Sequence, residues 1–399
     1  VGGVVGTITG NGGTVERCWN GASMSSYANA SGGGIVGFTY GTVRDCYNLG
    51  EIGESGNEGG IVGYAGNKTS VVERCYNAGK SASGAVVGRE GSGVTIAGNY
   101  YLEGTGSEAG LGADKARELT AEQLESWGAA YALNGGDGTQ ELAGLATWRK
   151  AKDAGENTGY PVLCAAGESM DAAADWAEVG AGVDVFAPLL QPSAGDGTAT
   201  PYEISSPEAL AWFAYKVNTG GYKKRCAKLT RNIDLSGTSY SGVAGSNFSN
   251  CLKWKPIASF SGDFDGGGYA VENLFVNEST GLVGFFGNLQ GIDSTSAADA
   301  VSGHDFGVAS GSVTGLHSVG GIVGKMNRLQ GKAAVKVERC WNAASVTGTG
   351  ADGNDTMAGG IVGYAFGIVS NCYNTGSVSA AQRCAGGIVG STTSYTSYT

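Results

Sequence analysis

The stretch Ala358-Gly359-Gly360-Ile361-Val362-Gly363-Tyr364-Ala365, joined a few residues on by Val369-Ser370-Asn371-Cys372-Tyr373-Asn374, decides how this chain is read. Its first block recurs at Gly2–Gly6, Gly33–Gly37, Gly59–Gly63, Gly320–Gly324 and Gly386–Gly390, with near copies at Gly84–Gly88 and Gly281–Gly284. Its second block recurs at Val15–Asn20, Val43–Asn48, Val72–Asn77 and Val337–Asn342. Cysteine follows cysteine after 28, 29 and 32 residues, a drift that loops of varying length explain. A repeat of this length, with short β segments and glycine corners, cannot bury a core alone, but stacked coils make the core continuous. The expectation is a mainly β fold: a parallel β-solenoid whose coils rise by about 4.8 Å, so that equivalent residues form ladders. Val and Cys of the second block lie three apart, which breaks strict alternation and predicts a bend or bulge between them.

Composition agrees. Glycine accounts for 73 of 399 residues and proline for only 6, which excludes collagen and long helices. Charged residues are 15% and the net charge is −11, so a general nucleic-acid binder, which needs a basic face, is excluded. No apolar run of about 18 residues offers a membrane span. The opening Val1-Gly2-Gly3-Val4-Val5-Gly6 is no signal peptide and reads as the middle of a motif, so a fragment of a longer protein is expected.

The repeats are interrupted. A helical closing segment is expected over 113–135, with a capping box at Thr120-Ala121-Glu122-Gln123 and its main helix near 120–134. Trp148 and Tyr160-Pro161-Val162-Leu163 read as a closing strand. The first module then covers 1–165, 166–200 is a linker carrying a short element around Trp176 to Leu190, and a second module fills 201–399. Ser205-Ser206-Pro207-Glu208 signals the start of an opening helix near 206–218, with Leu210, Phe213, Ala214 and Val217 as its apolar stripe.

These blocks resemble the GLUG-motif repeat family, most clearly at Ala358–Ala365 with Val369–Val378. The lead-in from Ile204 through Leu210, Ile233-Asp234-Leu235, Trp254-Lys255-Pro256-Ile257, Phe264-Asp265-Gly266 and Leu274 also looks like the opening of such a module. The resemblance implies a bacterial surface or secreted protein. Such repeats occur in adhesin-like proteins and in the non-catalytic part of immunoglobulin A1-cleaving zinc metallopeptidases. It implies no catalytic residue.

Chemistry is scarce in the residues themselves. His304 and His317 are the only histidines, lack a His-Glu-x-x-His setting, and are expected in surface loops. Gly79-Lys80-Ser81 lacks the upstream glycine of a phosphate-binding loop. Asp263, Asp265 and Glu272 could form an acid–base pair, but a turn at Asp265-Gly266 is the favoured reading. Calcium at Asp234, Asp263 or Asp265 finds no supporting pattern. Of nine cysteines, five (Cys18, Cys46, Cys75, Cys340, Cys372) sit in the repeated block and are expected as buried thiols. Cys226 with Cys251 is the best remaining disulfide pair. Trp19, Tyr47, Tyr76, Trp341 and Tyr373 directly follow those cysteines and so face the other way. They form either a bare ladder for glycan or protein contact or a ladder under packed loops.

The expected function is therefore a non-catalytic extracellular scaffold, a cell-surface stalk or adhesin region meeting host glycans or surface proteins. No metal, cofactor or nucleic acid is expected, and the coil edges are open to end-to-end pairing. The alternatives are the substrate-presenting region of a secreted zinc metallopeptidase and a carbohydrate-active β-helix enzyme.

Overall fold

A computed structural model describes residues 1–392 apart from 11, 26–29, 54–55, 107–114, 136–146, 166–167, 169–172, 174, 187–196, 199, 238–247, 249–250, 280 and 351–355. The chain forms two compact units, one of Val1–Gly136 with Gly144–Asp171 and the other of Asp137–Ala143 with Ala172–Thr399.

In the first unit the repeats stack as parallel coils. Val5–Ile8, Val36–Thr39, Val62–Ala65 and Val87–Glu90 make one sheet, and Thr14–Glu16, Thr42–Arg44, Val71–Glu73 and Thr95–Ala97 a second. A third runs Trp19–Asn20, Tyr47–Asn48, Tyr76–Asn77, Asn99–Leu102 and Ala116–Leu119. The register is exact from coil to coil: Val15 against Val43, Val43 against Val72, Val72 against Ile96. These residues, with Ile35, Ile61, Cys46 and Cys75, fill the coil interior. A fully buried Val or Ile is worth about 1.5–3 kcal/mol. Three-residue strands become stable only because each side chain is sandwiched between its own counterparts.

The bend expected between Val and Cys is present, made by one left-handed residue per coil. Arg17, Asp45 and Arg74 have φ of 55°, 53° and 52°, and the fourth coil places Gly98 there, φ 64°. Asp305, Arg339 and Asn371 repeat it in the second unit. Each non-glycine costs on the order of 1 kcal/mol in this region. The turn lets the Val and the Cys three residues later both point inward.

The closing segment differs from the expectation. Ala116–Leu119 is a strand, not helix, because its backbone groups have a free partner in Asn99–Leu102. Helix begins only at Thr120, whose side chain caps α1 (Ala121–Leu124) in a capping box with Gln123. A second helix, α2 (Trp127–Leu133), is buried along its whole length. Residues 113 and 114, and 136 onward, lie outside the described residues. Trp148–Arg149 and Val162–Leu163 pair antiparallel.

In the second unit α3 (Trp176–Phe186) falls inside the stretch expected as linker and buries Trp176, Val179 and Val183. The opening helix α4 (Pro207–Asn218) has Ser206 as its cap and Pro207 in its first turn, as the sequence predicts. Tyr202–Ile204, Ala227–Leu229, Asp263–Asp265, Val301–His304, Val335–Glu338 and Ile368–Ser370 form a six-stranded parallel sheet. Four- and five-stranded sheets complete the coils, around the buried rings of Phe264, Phe285, Phe286 and Phe306. No helix among the described residues is long and apolar enough to cross a membrane.

Candidate functional site: the aromatic column and the histidine cluster

The aromatic residues after each cysteine form continuous stacks. Trp19 and Tyr47 lie 5.8 Å apart at 7°, Tyr47 and Tyr76 5.1 Å apart at 0°, and Trp341 and Tyr373 6.0 Å apart at 5°. The two units differ in what covers them. In the first, Trp148 packs on Tyr47 and Tyr76, and the Tyr76 hydroxyl donates to the Pro161 carbonyl and accepts from Asn157. Tyr76 is fully buried, and burial pushes its hydroxyl well above the ordinary tyrosine range and that of Tyr47 up to about 12. Trp19, in the same stack, is 58% exposed. In the second unit Trp341 lies over the Gly307 backbone, where a Cβ would meet the indole at 2.2 Å, and Tyr373 is 55% exposed.

This arrangement limits what the column can bind. Rings stacked along the solenoid turn their faces to one another, so the inner rungs offer only edges. A sugar needs a ring face. Tyr47 and Tyr76 have none.

The second grouping escapes a reading of the sequence by motif. His304 is not in a loop. It ends the strand Val301–His304, where in-register stacking sets it opposite Asp265 on one side and Glu338 on the other. Its Nε2 is 3.3 Å from Asp263, and its Nδ1 is 2.8 Å from Asp305 and 3.7 Å from Asp265. The hydrogen bond to Asp263, helped by that to Asp305, raises its pKa to about 9 against the penalty of burial. Asp305 is forked by Arg339 at 2.6 and 2.7 Å, which with His304 holds its carboxyl well below the usual carboxylate range. Burial works against ionisation of Asp263, but His304 and the Ser302 hydroxyl outweigh it and keep its pKa low.

Asp265, His304 and Asp305 are the one grouping of metal-capable atoms among the described residues. Three carboxylates (Asp263, Asp265, Asp305) meet three cations (His304, Arg339, and Lys228 at 3.4 Å from Asp265). The charges already balance, so the cluster is an ion-pair hub across coils. It completes a wider pattern. Glu16 faces Arg44 and Arg44 faces Glu73, while the adjacent corner column runs Arg17, Asp45, Arg74. Sign alternates from coil to coil in both columns, and His304-Asp305 against Glu338-Arg339 repeats the inversion. His304 thus fills a position where the pattern demands a cation. The charge inversion between His304-Asp305, before Phe306, and Glu338-Arg339, before Cys340, is the signal from which its role was readable.

A pH prediction follows. The folded pKa of His304 lies above its unfolded value near 6.5, so its stabilisation is complete below about pH 6.5 and lost as pH rises through about 9. Wild-type protein should lose on the order of 2 kcal/mol between pH 6.5 and 9.5. His304→Gln should lack that loss, keeping only the slope of the other groups that titrate in the window, as followed by urea unfolding; an identical slope in the variant would refute the hub.

The remaining candidates resolve individually. The Asp265 carboxylate accepts from the Gly267 amide at 2.7 Å, which is the expected turn. Glu272 sits in another sheet, paired with Asp234 in register, and accepts from Asn232. The Asp234 carboxylate is held by Ser236 and Asn273. His317 lies in the bend between Gly311–Gly315 and Ser318–Gly320. Cys226 and Cys251 are not bonded, contrary to the expected pair: Cys226 lies beside Asp263 and Cys251 beside Asp234. All nine thiols are free, and Cys46, Cys75 and Cys340 are buried in their ladders. Burial raises the Cys75 thiol, and Cys340 is raised by its hydrogen bond with Cys372, then by burial. That same bond lowers half-buried Cys372 to about 7. Ellman titration of native protein should therefore modify Cys372 first and spare Cys75 and Cys340, with all nine reacting after denaturation; rapid native modification of Cys75 would sink the buried-ladder reading.

Comparison with known proteins bears on this geometry. The family model of the GLUG motif matches residues 354–379, the copy carrying Gly359–Gly363 and Val369–Asn374, so the resemblance read from those blocks holds there. Among solved structures the chain is similar to a Bacteroides ovatus protein provisionally assigned as an immunoglobulin A1 protease. The TM-score is 0.36 at 23% identity, covering 56% of this chain and 68% of that one. No curated protein matches the chain.

Proposed function

We propose that this chain is a non-catalytic repeat scaffold, a stalk or adhesin region of a bacterial surface or secreted protein, that meets its partners through loops and open ring faces. One observation carries the reading: the recurring residues are used up in coil-to-coil stacking. The glycine pairs touch the next coil, the cysteines fill the interior, the asparagines bond one another, and His304 and Asp265 hold ion pairs and a turn. Residues committed in this way are poor candidates for a reaction cycle, in which they must exchange partners.

The test has two arms. Incubation with a panel of polysaccharides and peptides should release no product, and any turnover that survives repurification overturns the proposal. On a glycan array, Tyr373→Ser should reduce whatever binding the wild type shows without moving the melting temperature. Tyr76→Ser should leave binding intact and destabilise the first unit by about 3 kcal/mol, as large-to-small core changes do.

A further inference from the structure

Helices α3 and α4 and the coil segment at Trp254 frame a cleft of about 130 Å³ whose walls include Trp176, Ala211, Ala214, Asn218, Trp254 and Lys255. These walls are held in place. The two helices meet at Gly180, where a Cβ would lie 2.3 Å from the Ala211 carbonyl oxygen. Trp176 donates its indole N–H to the Leu235 carbonyl and Trp254 to the Phe285 carbonyl, each at 3.1 Å. Trp254 also stacks on the Phe285 ring, 5.1 Å apart at 3°. With both N–H groups engaged, the indoles offer the cleft ring carbon. Ala211 and Ala214 are three apart on α4 and so share a face. Their short side chains leave the space that a leucine would fill.

Lys255 is the one charged side chain of this lining among the described residues. It is exposed and forms no ion pair among them. Charges nearby already have partners. Lys253 pairs with Glu278 at 3.0 Å, Lys216 pairs with Asp184 at 2.9 Å, and Asp175 accepts from the Glu178 amide at 2.9 Å. None of these carboxylates lines the cleft. Asn218 accepts from the Ala258 amide at 2.7 Å and donates to the Pro256 carbonyl at 3.2 Å, which leaves one hydrogen on its Nδ2. An apolar interior is thus joined to one unneutralised cation and one amide hydrogen, with no anion in the lining to meet them.

We propose that this cleft binds a small aryl carboxylate, its ring between the two tryptophans and the alanine face of α4 and its carboxylate on Lys255 and Asn218. An apolar cavity of roughly 150 Å³ takes up benzene. The cleft, at about 130 Å³, therefore has room for one ring and is too small for a fatty chain. Contact with the indole rings favours an aromatic occupant over an aliphatic one of equal size. Ordered water needs two to four polar partners, and the indole N–H groups that could serve it are engaged elsewhere. A carboxylate held on the ammonium and the amide hydrogen makes charge-assisted bonds, which are stronger than neutral ones. Phenylacetate, with about ten non-hydrogen atoms, should bind with a Kd on the order of 0.1–1 mM. The site uses none of the stacked rings, so its test is independent of the scaffold reading.

The experiment is a ligand-observed NMR titration of the whole chain with phenylacetate, acetate and methyl phenylacetate. One phenylacetate should bind per chain, at least tenfold tighter than either acetate or the ester. Lys255→Met, melting like the wild type, should bring phenylacetate down to the affinity of the ester. Ala214→Leu fills the cleft and should abolish binding with the circular dichroism spectrum unchanged. If that variant unfolds, Ala177→Leu, from the α3 wall, supplies the same readout. No saturable binding up to about 10 mM overturns the proposal. So does acetate matching phenylacetate, which would leave only a surface ammonium, or the ester matching it, which would leave only an apolar hole. A folded Lys255→Met or leucine variant that binds like the wild type overturns it as well.

Discussion

Gly360→Ala should cost about 3 kcal/mol or more, while Gly221→Ala, in the exposed turn after α4, should cost less than about 0.5 kcal/mol. Neither glycine has a positive φ, so backbone preference does not separate them. Space does. A Cβ on Gly360 would lie 2.1 Å from the Gly387 carbonyl oxygen and 2.4 Å from Cγ of Asn374, and one on Gly221 would meet nothing within 4 Å. Relief requires the two coils to part by about an ångström. That strains the ladder bonds from the Gly360 amide to Gly386 and from the Ile361 amide to Ile388, each worth about 0.5–1.5 kcal/mol. The unfolded-state benefit of alanine, about 0.4–1 kcal/mol, applies equally to both variants and cancels in the comparison. Urea midpoints at constant slope give the readout. Equal loss at the two positions would mean that the glycine block is not selected by coil contact.

The same contrast explains what the sequence disclosed. Gly-Gly-Ile-Val-Gly and Val-x-x-Cys-Tyr-Asn recur because every coil presents identical surroundings to the next, so periodicity and composition revealed the stacked fold and its inner residues. The strand at Ala116–Leu119 was hidden because it lies next to a strong helix start at Thr120 and forms only where Asn99–Leu102 has an open edge. Local propensity cannot register a partner that distant. The cover over Tyr47 and Tyr76 was hidden for the same reason: Trp148 and Pro161 meet those rings from 72 to 101 residues away. His304 was misplaced because its neighbours Gly303 and Ser302 look like loop residues, whereas its strand is imposed by the sheet it joins.

Asn48→Ala should be the second large effect, about 3–5 kcal/mol, because one buried side chain closes four hydrogen bonds at once. Its Nδ2 donates to the Gly50 carbonyl at 2.7 Å and to Asn77 Oδ1 at 2.9 Å, and its Oδ1 accepts from the Gly50 amide at 3.2 Å and from Asn20 at 2.8 Å. Alanine leaves Gly50 with a buried donor and acceptor unmatched, on top of the cavity. Asn48→Asp keeps the shape and both accepted bonds. It also points a carboxylate at two oxygens, with no cation to offset it. Such a group is held neutral, its folded pKa raised above the unfolded 3.9, so the variant should regain stability as pH falls and lose it as pH rises. Asn374 supplies the control. It makes the same local turn bonds with Gly376, at 2.8 and 3.2 Å, and accepts from Asn342, but among the described residues its amide donates to no second asparagine. Asn374→Ala should cost only about 1 kcal/mol. If the two alanine variants lose stability equally, the local turn and not the asparagine ladder is what holds the coils together.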